Sequence, residues 1–199
     1  MKKYIILLLI TVNFCKAQEI FKDQEIGFEI EKPSDWFIAE KNEALDNIKE
    51  KIKLPENQLK EIIKNNKGTI EVVTFYKYDI KSRAGIIPTI KINLRNNPSK
   101  SLESFKNSIE ASYGKLKEIF PDFVFLTKPS IIKVNGKDCI FSVSKYTVKT
   151  RTTEEKVRSY IYAIPVNGTF YQIAFMDTEK DNCKNEFEKA IKSIKITSD

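Results

Sequence analysis

Two Asn-Gly pairs constrain the fold of this chain more than any other feature of its sequence. Asn135-Gly136 and Asn167-Gly168 each lie between two apolar stretches, within residues 131–143 and 160–175. A tight two-residue turn requires positive φ at both central positions, which Asn and Gly adopt at the lowest steric cost. The sequence therefore predicts two consecutive β-hairpins in an antiparallel sheet.

The spacing of apolar residues predicts the elements around these hairpins. Alternation of apolar and polar side chains predicts strands at 28–31, 70–77 and 90–95. Apolar residues three and four positions apart predict a helix from Ser99 to Phe120 and a final helix after Cys183. The chain is thus predicted to have an α+β fold, an antiparallel sheet flanked by helices.

The amino-terminal segment predicts export. Residues 1–3 are positively charged, residues 4–12 are apolar, and Ala17 is a small residue suited to cleavage, as in a secretory signal peptide. The apolar run is shorter than the ~20 residues that a spanning helix needs. We expect a periplasmic or secreted protein with a single domain at 18–199. The alternative is a lipid anchor on Cys15, which the bulky residue before this cysteine disfavours.

The charge of the chain argues against nucleic-acid binding. Removal of Lys2, Lys3 and Lys16 with the signal peptide leaves 31 basic and 27 acidic residues, a net charge of +4. Acidic residues are interspersed among the basic ones throughout the chain, and there is no concentrated basic stripe. A helical insertion at about 42–67 shows the same mixture and is interpreted as a solvated surface, with a membrane-surface helix as the alternative.

Two cysteines, Cys139 and Cys183, remain after signal cleavage, and an even number in an oxidising compartment suggests a disulfide. Cys139 shares its strand face with Phe141, and Cys183 lies one turn before Phe187 on the apolar side of the final helix. Both sulfurs are therefore predicted between sheet and helix. The alternative is two separate buried thiols, because spacing alone does not establish the required Cα approach.

The residue types needed for common catalysis are missing. The chain has no histidine, which excludes Ser-His-Asp and Cys-His catalysis and histidine-ligated zinc. Its six glycines are scattered and form no phosphate-binding loop, and the carboxylates at 177–181 suit a helix start better than a calcium loop. We predict no enzymatic activity, no cofactor and no metal site.

One group of side chains is a candidate surface for binding a partner. We call it the tip cluster, because its residues lie at and beside the polar segment that joins the two hairpins: Lys145, Lys149, Arg151, Lys156 and Arg158. Together with Glu154 and Glu155 their net charge is +3, which favours an acidic protein partner or an anionic membrane surface. The alternative is an ordinary solvated hairpin end.

The order of these elements resembles the PsbP-like superfamily. The residues that carry the resemblance are an opening motif, a Val-Asn-Gly hairpin and a closing helix: Phe28, Ile30, Pro33, Trp36, Val134, Phe187, Ile191 and Ile194. This superfamily of α/β/α sandwiches includes the PsbP extrinsic photosystem proteins and exported bacterial proteins of the DcrB type. The resemblance implies a non-catalytic binding or accessory role and supplies no catalytic residues. The insertion at about 42–67 departs from a minimal member.

Three functional hypotheses follow. The first is an exported, non-catalytic binding or accessory protein with a protein partner in the bacterial envelope. The second is a carrier of a small ligand or lipid, with a pocket between the sheet and the terminal helix. The third is an enzyme without histidine chemistry.

Overall fold

The computed structural model describes residues 19–40 and 68–197. The elements in these ranges are, in chain order, β1 (Ile20–Asp23), β2 (Phe28–Glu31), β3 (Phe37–Ile38), β4 (Thr69–Tyr76), β5 (Thr89–Asn96), α1 (Leu102–Ile119), β6 (Val124–Val134), β7 (Lys137–Lys149), β8 (Glu154–Val166), β9 (Thr169–Thr178), α2 (Lys184–Ser193) and β10 (Lys195–Ile196). The predicted signal peptide, Cys15 and the insertion at about 42–67 lie outside the described residues.

The strands form two antiparallel sheets. The large sheet has seven strands in the order β3-β4-β5-β9-β8-β7-β6, and the small sheet has the order β1-β2-β10. In the small sheet β10 pairs with β2, with Ile196 opposite Phe28. The predicted α+β fold with an antiparallel sheet and flanking helices is confirmed.

The two Asn-Gly pairs form the turns that the sequence predicts. Asn135 and Gly136 have φ values of 48° and 81°, and Asn167 and Gly168 have values of 43° and 75°. These turns join β6 to β7 and β8 to β9, which pair antiparallel up to the turn. Positive φ at both central residues matches the twist of the flanking strands, so the turns fix the register of both hairpins.

Each face of the large sheet is covered by a different helix. On one face, which we call the α2 face, Phe175 and Ile173 are completely buried beneath Phe187 and Ile191 of α2. Trp36 is a core residue, as predicted, and its ring lies edge-on to Phe187 at 6.2 Å. The small sheet extends this layer through Phe28 and Ile30, which are also fully buried.

On the opposite face, the α1 face, helix α1 packs through Phe105, whose ring lies 5.0 Å from that of Phe170. Ser101 begins the helix as its N-cap and forms a capping box with Ser104. The helix starts two to three residues later than predicted, because this capping box and not the first polar residue sets its amino end. Helices on both faces of the sheet give the layered arrangement of an α/β/α sandwich.

The predicted disulfide between Cys139 and Cys183 is wrong, and both are free, fully buried thiols. The backbone N–H of Cys183 donates to Asp177 at 2.9 Å, and Asp177 lies opposite Arg158. Arg158 in turn lies opposite Lys145, six residues beyond Cys139 along β7, a separation of about 20 Å. A disulfide requires Cα atoms within about 7 Å. The sequence identified the correct face of the strand but not the position along it.

Candidate functional site

Helix α2 leaves part of its own sheet face uncovered. Across β7 and β8, Phe141 pairs with Tyr162, and Tyr160 lies two residues before Tyr162 on the same face. The rings of Phe141 and Tyr162 are 4.6 Å apart. All three side chains are only partly buried, unlike the fully buried Phe175 on the neighbouring strand. Tyr160 still contacts Phe187 of α2, with ring centroids 5.7 Å apart, so it lies at the border of the helix, and Phe141 and Tyr162 form the aromatic surface beyond it.

Two exposed aliphatic side chains lie on the neighbouring edge strand β6, further along the sheet than Phe141, whose own partner on β6 is Ser130. Val124 and Leu126 are 51% and 56% exposed. Val124 lies opposite Lys145 on β7, and Leu126 lies at an irregularity of the β6–β7 ladder, between Phe125 and Thr127. We call this combination the sheet-face patch, defined by its residues Val124, Leu126, Phe141, Tyr160 and Tyr162.

Strand β6 is an edge of the large sheet, but its backbone is poorly suited to adding another strand. Its pairing with β7 shifts register twice between Phe125 and Ser130. Lys128 and Pro129 lie inside this irregular stretch. Bulges, lysine and proline are the features that prevent edge strands from pairing with other chains. The patch therefore offers side chains to a partner more readily than it offers backbone hydrogen bonds.

The phenols of the patch are neutral at physiological pH. Burial raises the pKa of Tyr162 to about 12. Burial and the carboxylate of Asp177 raise the pKa of Tyr160 as well. Neutral phenols donate and accept hydrogen bonds and present apolar ring faces, but they do not act as bases near neutral pH.

Three members of the tip cluster are already paired with carboxylates. Arg158 donates to both oxygens of Asp177, at 2.9 and 2.8 Å, and the Asp177 side chain is completely buried. Lys145 pairs with Glu179, and Lys149 pairs with Glu154 at 3.4 Å. Asp177 and Glu179 belong to β9 and the turn after it, so the local sequence of the tip gave no sign of them.

Arg151 and Lys156 are exposed and have no ion-pair partner within the described ranges. Hydrogen bonds from Thr147 are the main cause of the lowered pKa of Asp122, and Lys156 contributes to it through its charge. The fold thus places acidic side chains from other segments, such as Asp177 and Glu179, beside the tip cluster, in addition to those in its own sequence. A partner-binding role of the tip cluster stays a prediction, now centred on Arg151 and Lys156.

A second charged cluster lies at the amino end of α2. Asp181 is 2.8 Å from Arg83 and 3.6 Å from Lys77, and it accepts a hydrogen bond from the Tyr78 hydroxyl at 2.8 Å. Burial acts to raise the pKa of Asp181, but Tyr78 and the two cations outweigh it and lower the pKa. The carboxylate of Asp181 is thus neutralised by two cations, and these contacts join the turn before α2 to the segment that follows β4.

Neither cysteine is placed to act as a nucleophile. Burial raises the pKa of the Cys139 thiol to about 12. Burial raises that of Cys183 to about 11, although the ammonium group of Lys77, 3.5 Å from the sulfur, opposes the shift. A thiol must ionise to react, so both side chains are inert near neutral pH.

The space between α2 and the sheet is filled by side chains. Phe175 and Phe187 meet there with ring centroids 4.9 Å apart. A cleft of about 450 Å³ lies beside the helix and not beneath it, and charged side chains such as Lys77, Glu186 and Lys189 line it. The apolar pocket expected at this place by the carrier hypothesis is thus not formed by the described residues.

Two further searches of residues 19–40 and 68–197 gave negative results. No three side chains of the His, Cys, Asp or Glu type lie close enough together in these ranges to hold a metal ion. In the same ranges, no helix has the length and apolar character needed to cross a membrane.

Comparisons with known proteins place the fold but not the function. No protein-family model matches the chain, and no curated protein matches it either. Among solved structures, the chain is similar to the cyanobacterial PsbP protein (CyanoP) of Synechocystis sp. PCC 6803, with 14% identity and a TM-score of 0.53 over 90% of this chain and 92% of that one. The PsbP-like fold that the sequence predicts is confirmed.

Two other solved structures show a weaker likeness. LpqN of Mycobacterium tuberculosis, a protein involved in cell envelope biogenesis, has 9% identity and a TM-score of 0.48, with 92% of this chain and 87% of that one covered. A Bacteroides thetaiotaomicron protein has 13% identity and a TM-score of 0.48 over 92% of this chain. The chain spans about half the length of that protein, 49%.

Proposed function

We propose that the protein is an exported, non-catalytic binding protein of the cell envelope that docks a protein partner on the sheet-face patch. The observation that carries the proposal is the partly exposed pair Phe141 and Tyr162, with the exposed Val124 and Leu126 on the edge strand β6 of the same sheet. Aromatic side chains, tyrosine in particular, are enriched where protein partners bind most strongly. An accessory role of this kind is also what the resemblance to PsbP-like proteins implies.

The chemistry of the described residues supports binding over catalysis. The chain has no histidine, and its two buried thiols have pKa values of about 11 and 12. The tyrosines of the patch also have raised pKa values. A general base is most effective when its pKa lies near the working pH, and none of these groups meets that condition.

Export is tested by sequencing the amino terminus of the protein recovered from the host. Cleavage after Ala17 would give a mature chain that begins at Gln18. The alternative is a lipid-modified amino terminus at Cys15, which mass spectrometry would identify. Recovery of intact Met1 from the cytoplasm would contradict the proposal.

Docking on the patch is tested by site-specific photo-crosslinking in the native host. The photoreactive residue benzoylphenylalanine replaces Leu126 in one variant and Ile70 in a matched control. Ile70 is 61% exposed and lies on β4, at the other side of the sheet. We expect a discrete cross-linked product from position 126 and none from position 70.

A second change makes the crosslinking test specific. Tyr162→Ala removes a ring of the patch, and we expect it to reduce the yield from position 126 at least severalfold, since truncation of a central aromatic residue weakens binding strongly. Equal yields from positions 70 and 126, or an unchanged yield with Tyr162→Ala, would contradict docking on this surface.

The role of the tip cluster is tested in the same assay. If Arg151 and Lys156 also contact an acidic partner, reversing both charges should lower the crosslinking yield at low salt. Added salt should lower the yield of the unchanged protein in the same way, because exposed charge interactions are screened. A yield that is insensitive to both changes would restrict docking to the sheet-face patch.

A further inference from the structure

A pocket of about 260 Å³ lies between α1 and the large sheet, on the face opposite α2. Its apolar walls come from both sides of this interface: Phe105, Ile109 and Leu116 on α1, and Ile161 and Phe170 on the sheet. The pocket is smaller than the roughly 300–1,000 Å³ typical of sites for drug-sized ligands, so it suits a smaller molecule.

The charge at the pocket wall does not define its ligand. Arg95 lines the pocket, but its guanidinium donates to Gln172 at 3.2 Å and is engaged in a further interaction as well. The other described residues that line the pocket are uncharged. The pocket therefore offers an ionic ligand no uncompensated counter-charge, which favours a neutral ligand.

Two serines of strand β7 differ in how α1 satisfies their hydroxyl groups. Ser142 and Ser144 both point to the α1 face, and each is only 2% exposed. The hydroxyl of Ser142 is hydrogen-bonded to that of Tyr113 on α1, at 2.5 Å. The hydroxyl of Ser144, which lines the pocket, has no hydrogen-bond partner within residues 19–40 and 68–197. A buried hydroxyl without a partner is unfavourable, so Ser144 favours a ligand that supplies one.

Two further hydroxyl groups beside Ser144 are already paired with each other. Ser159 lies directly opposite Ser144 across β7 and β8, and Tyr146 lies two residues beyond Ser144 on the same face of β7. Burial raises the pKa of Tyr146 to about 12, although a hydrogen bond with Ser159 opposes the shift. Ser144 is therefore the hydroxyl of this group that a ligand can engage.

We propose that this pocket binds a small neutral molecule with an apolar body and one hydroxyl group, such as a phenol. The hydroxyl forms a hydrogen bond with Ser144, and the apolar body lies against Phe105 and Phe170. The rings of these two phenylalanines meet edge to face at 5.0 Å, an arrangement to which a third aromatic ring can be added.

The inference is independent of the proposed docking surface, because the sheet-face patch lies on the opposite face of the sheet. It also differs from the carrier hypothesis raised by the sequence, which expected a pocket under the terminal helix.

The test uses phenol and toluene, which differ only in a hydroxyl group in place of a methyl group. NMR titration measures the binding of both probes to the purified protein and to Ser144→Ala. Loss of one neutral hydrogen bond predicts that Ser144→Ala weakens phenol binding about fivefold. Toluene binding should be no weaker in the variant, because the apolar walls are unchanged.

A matched variant and a distance measurement keep the test specific. Ser34→Ala makes the same chemical change at an exposed serine in the cleft beside α2, and it should leave phenol binding unaltered. Nuclear Overhauser effects from the phenol ring to the methyl groups of Ile109 and Ile161 should place the ring in the pocket. Circular dichroism checks that each variant is folded.

Any of three results would overturn the proposal. The first is the absence of phenol binding to the unchanged protein at millimolar concentration. The second is equal phenol affinity in Ser144→Ala and the unchanged protein, or an equal loss of phenol and toluene binding, since either would show that the Ser144 hydroxyl does not recognise the ligand. The third is Overhauser contacts of the ring only with residues outside the pocket.

Discussion

The two helices cover the large sheet in different ways. Helix α2 packs Phe187 and Ile191 directly on buried sheet residues, and the space beneath it is filled. Helix α1 packs through Phe105 but leaves a pocket of about 260 Å³ beside Ile109 and Leu116. The difference teaches that the two helices bury the sheet to different degrees, since the interface of α2 is filled whereas that of α1 keeps an open pocket.

The largest expected effect concerns the carboxylate that anchors α2. Asp177 is completely buried, binds Arg158 through both oxygens and accepts from the backbone N–H of Cys183. Asp177→Ala would leave Arg158 without its partner, and we expect a loss of about 3 kcal/mol in the free energy of unfolding. Urea denaturation measures it. The control is Lys145→Ala, which breaks an exposed ion pair and should cost about 0.5 kcal/mol. If Asp177→Ala costs less than this control, Asp177 does not anchor α2.

A matched pair of isoleucine truncations compares the two helix interfaces directly. Ile191 on α2 is 8% exposed, whereas Ile109 on α1 is only partly buried beside the pocket. We expect Ile191→Ala to cost about 3 kcal/mol and Ile109→Ala about 1 kcal/mol, because truncation next to an existing pocket loses fewer contacts. The measurement is again urea denaturation. Equal losses would remove the contrast between a filled and an open interface.

The dependence of stability on alkaline pH tests whether the α2 face excludes water from the Cys139 thiol. The Cys139 pKa is raised to about 12, whereas a thiol in the unfolded chain ionises near 8.5. The unfolded state therefore loses its proton first, and stability that is present below pH 8.5 falls as the pH rises toward the folded pKa. Between pH 8.5 and 10 this thiol should lower the free energy of unfolding by about 1.5 kcal/mol. In Cys139→Ala the free energy of unfolding should fall by that much less over the same pH range.

Thiol alkylation checks the same region independently. In urea and without reductant, Cys139 and Cys183 should both react with iodoacetamide, because the structure has them as free thiols. In native buffer near neutral pH both should stay unmodified, since they are fully buried. Protection in urea would mean that a disulfide forms after all.

The smallest effect concerns the amino end of α1. Ser101 accepts a hydrogen bond from the backbone N–H of Ser104, which satisfies one of the free donors of the first turn. Ser101→Ala should cost about 1 kcal/mol. If the pocket side of the molecule is the more loosely packed one, this variant should also speed amide exchange in α1 more than in α2. Equal acceleration in both helices would argue against two independent interfaces.

Local interactions explain what the sequence predicted well. The Asn-Gly turns depend on positive φ at two adjacent residues, and the burial of Trp36 depends on one large ring beside a strand. Both signals are contained in a few neighbouring residues. The face of Cys139 was also correct, because side chains alternate strictly along a strand.

Features that depend on register between distant segments could not be predicted. Cys139 and Cys183 share a face, but the ladder through Arg158 and Asp177 separates them along the strand. The same register brings Asp177 beside Arg158, so the charge of the tip cluster was overestimated from its local sequence. The pocket at Arg95 depends on the distance between α1 and four strands, and the sequence of any one segment does not determine that distance.

The small sheet has a consequence for how the chain folds. Strand β2 lies between β1, its neighbour in sequence, and β10, whose residue Lys195 pairs with Glu29. A chain that is delivered amino end first, from a ribosome or through an export channel, cannot close this sheet until residues 195 and 196 have emerged. The small sheet can therefore close only after every strand of the large sheet, β3 to β9, has been delivered.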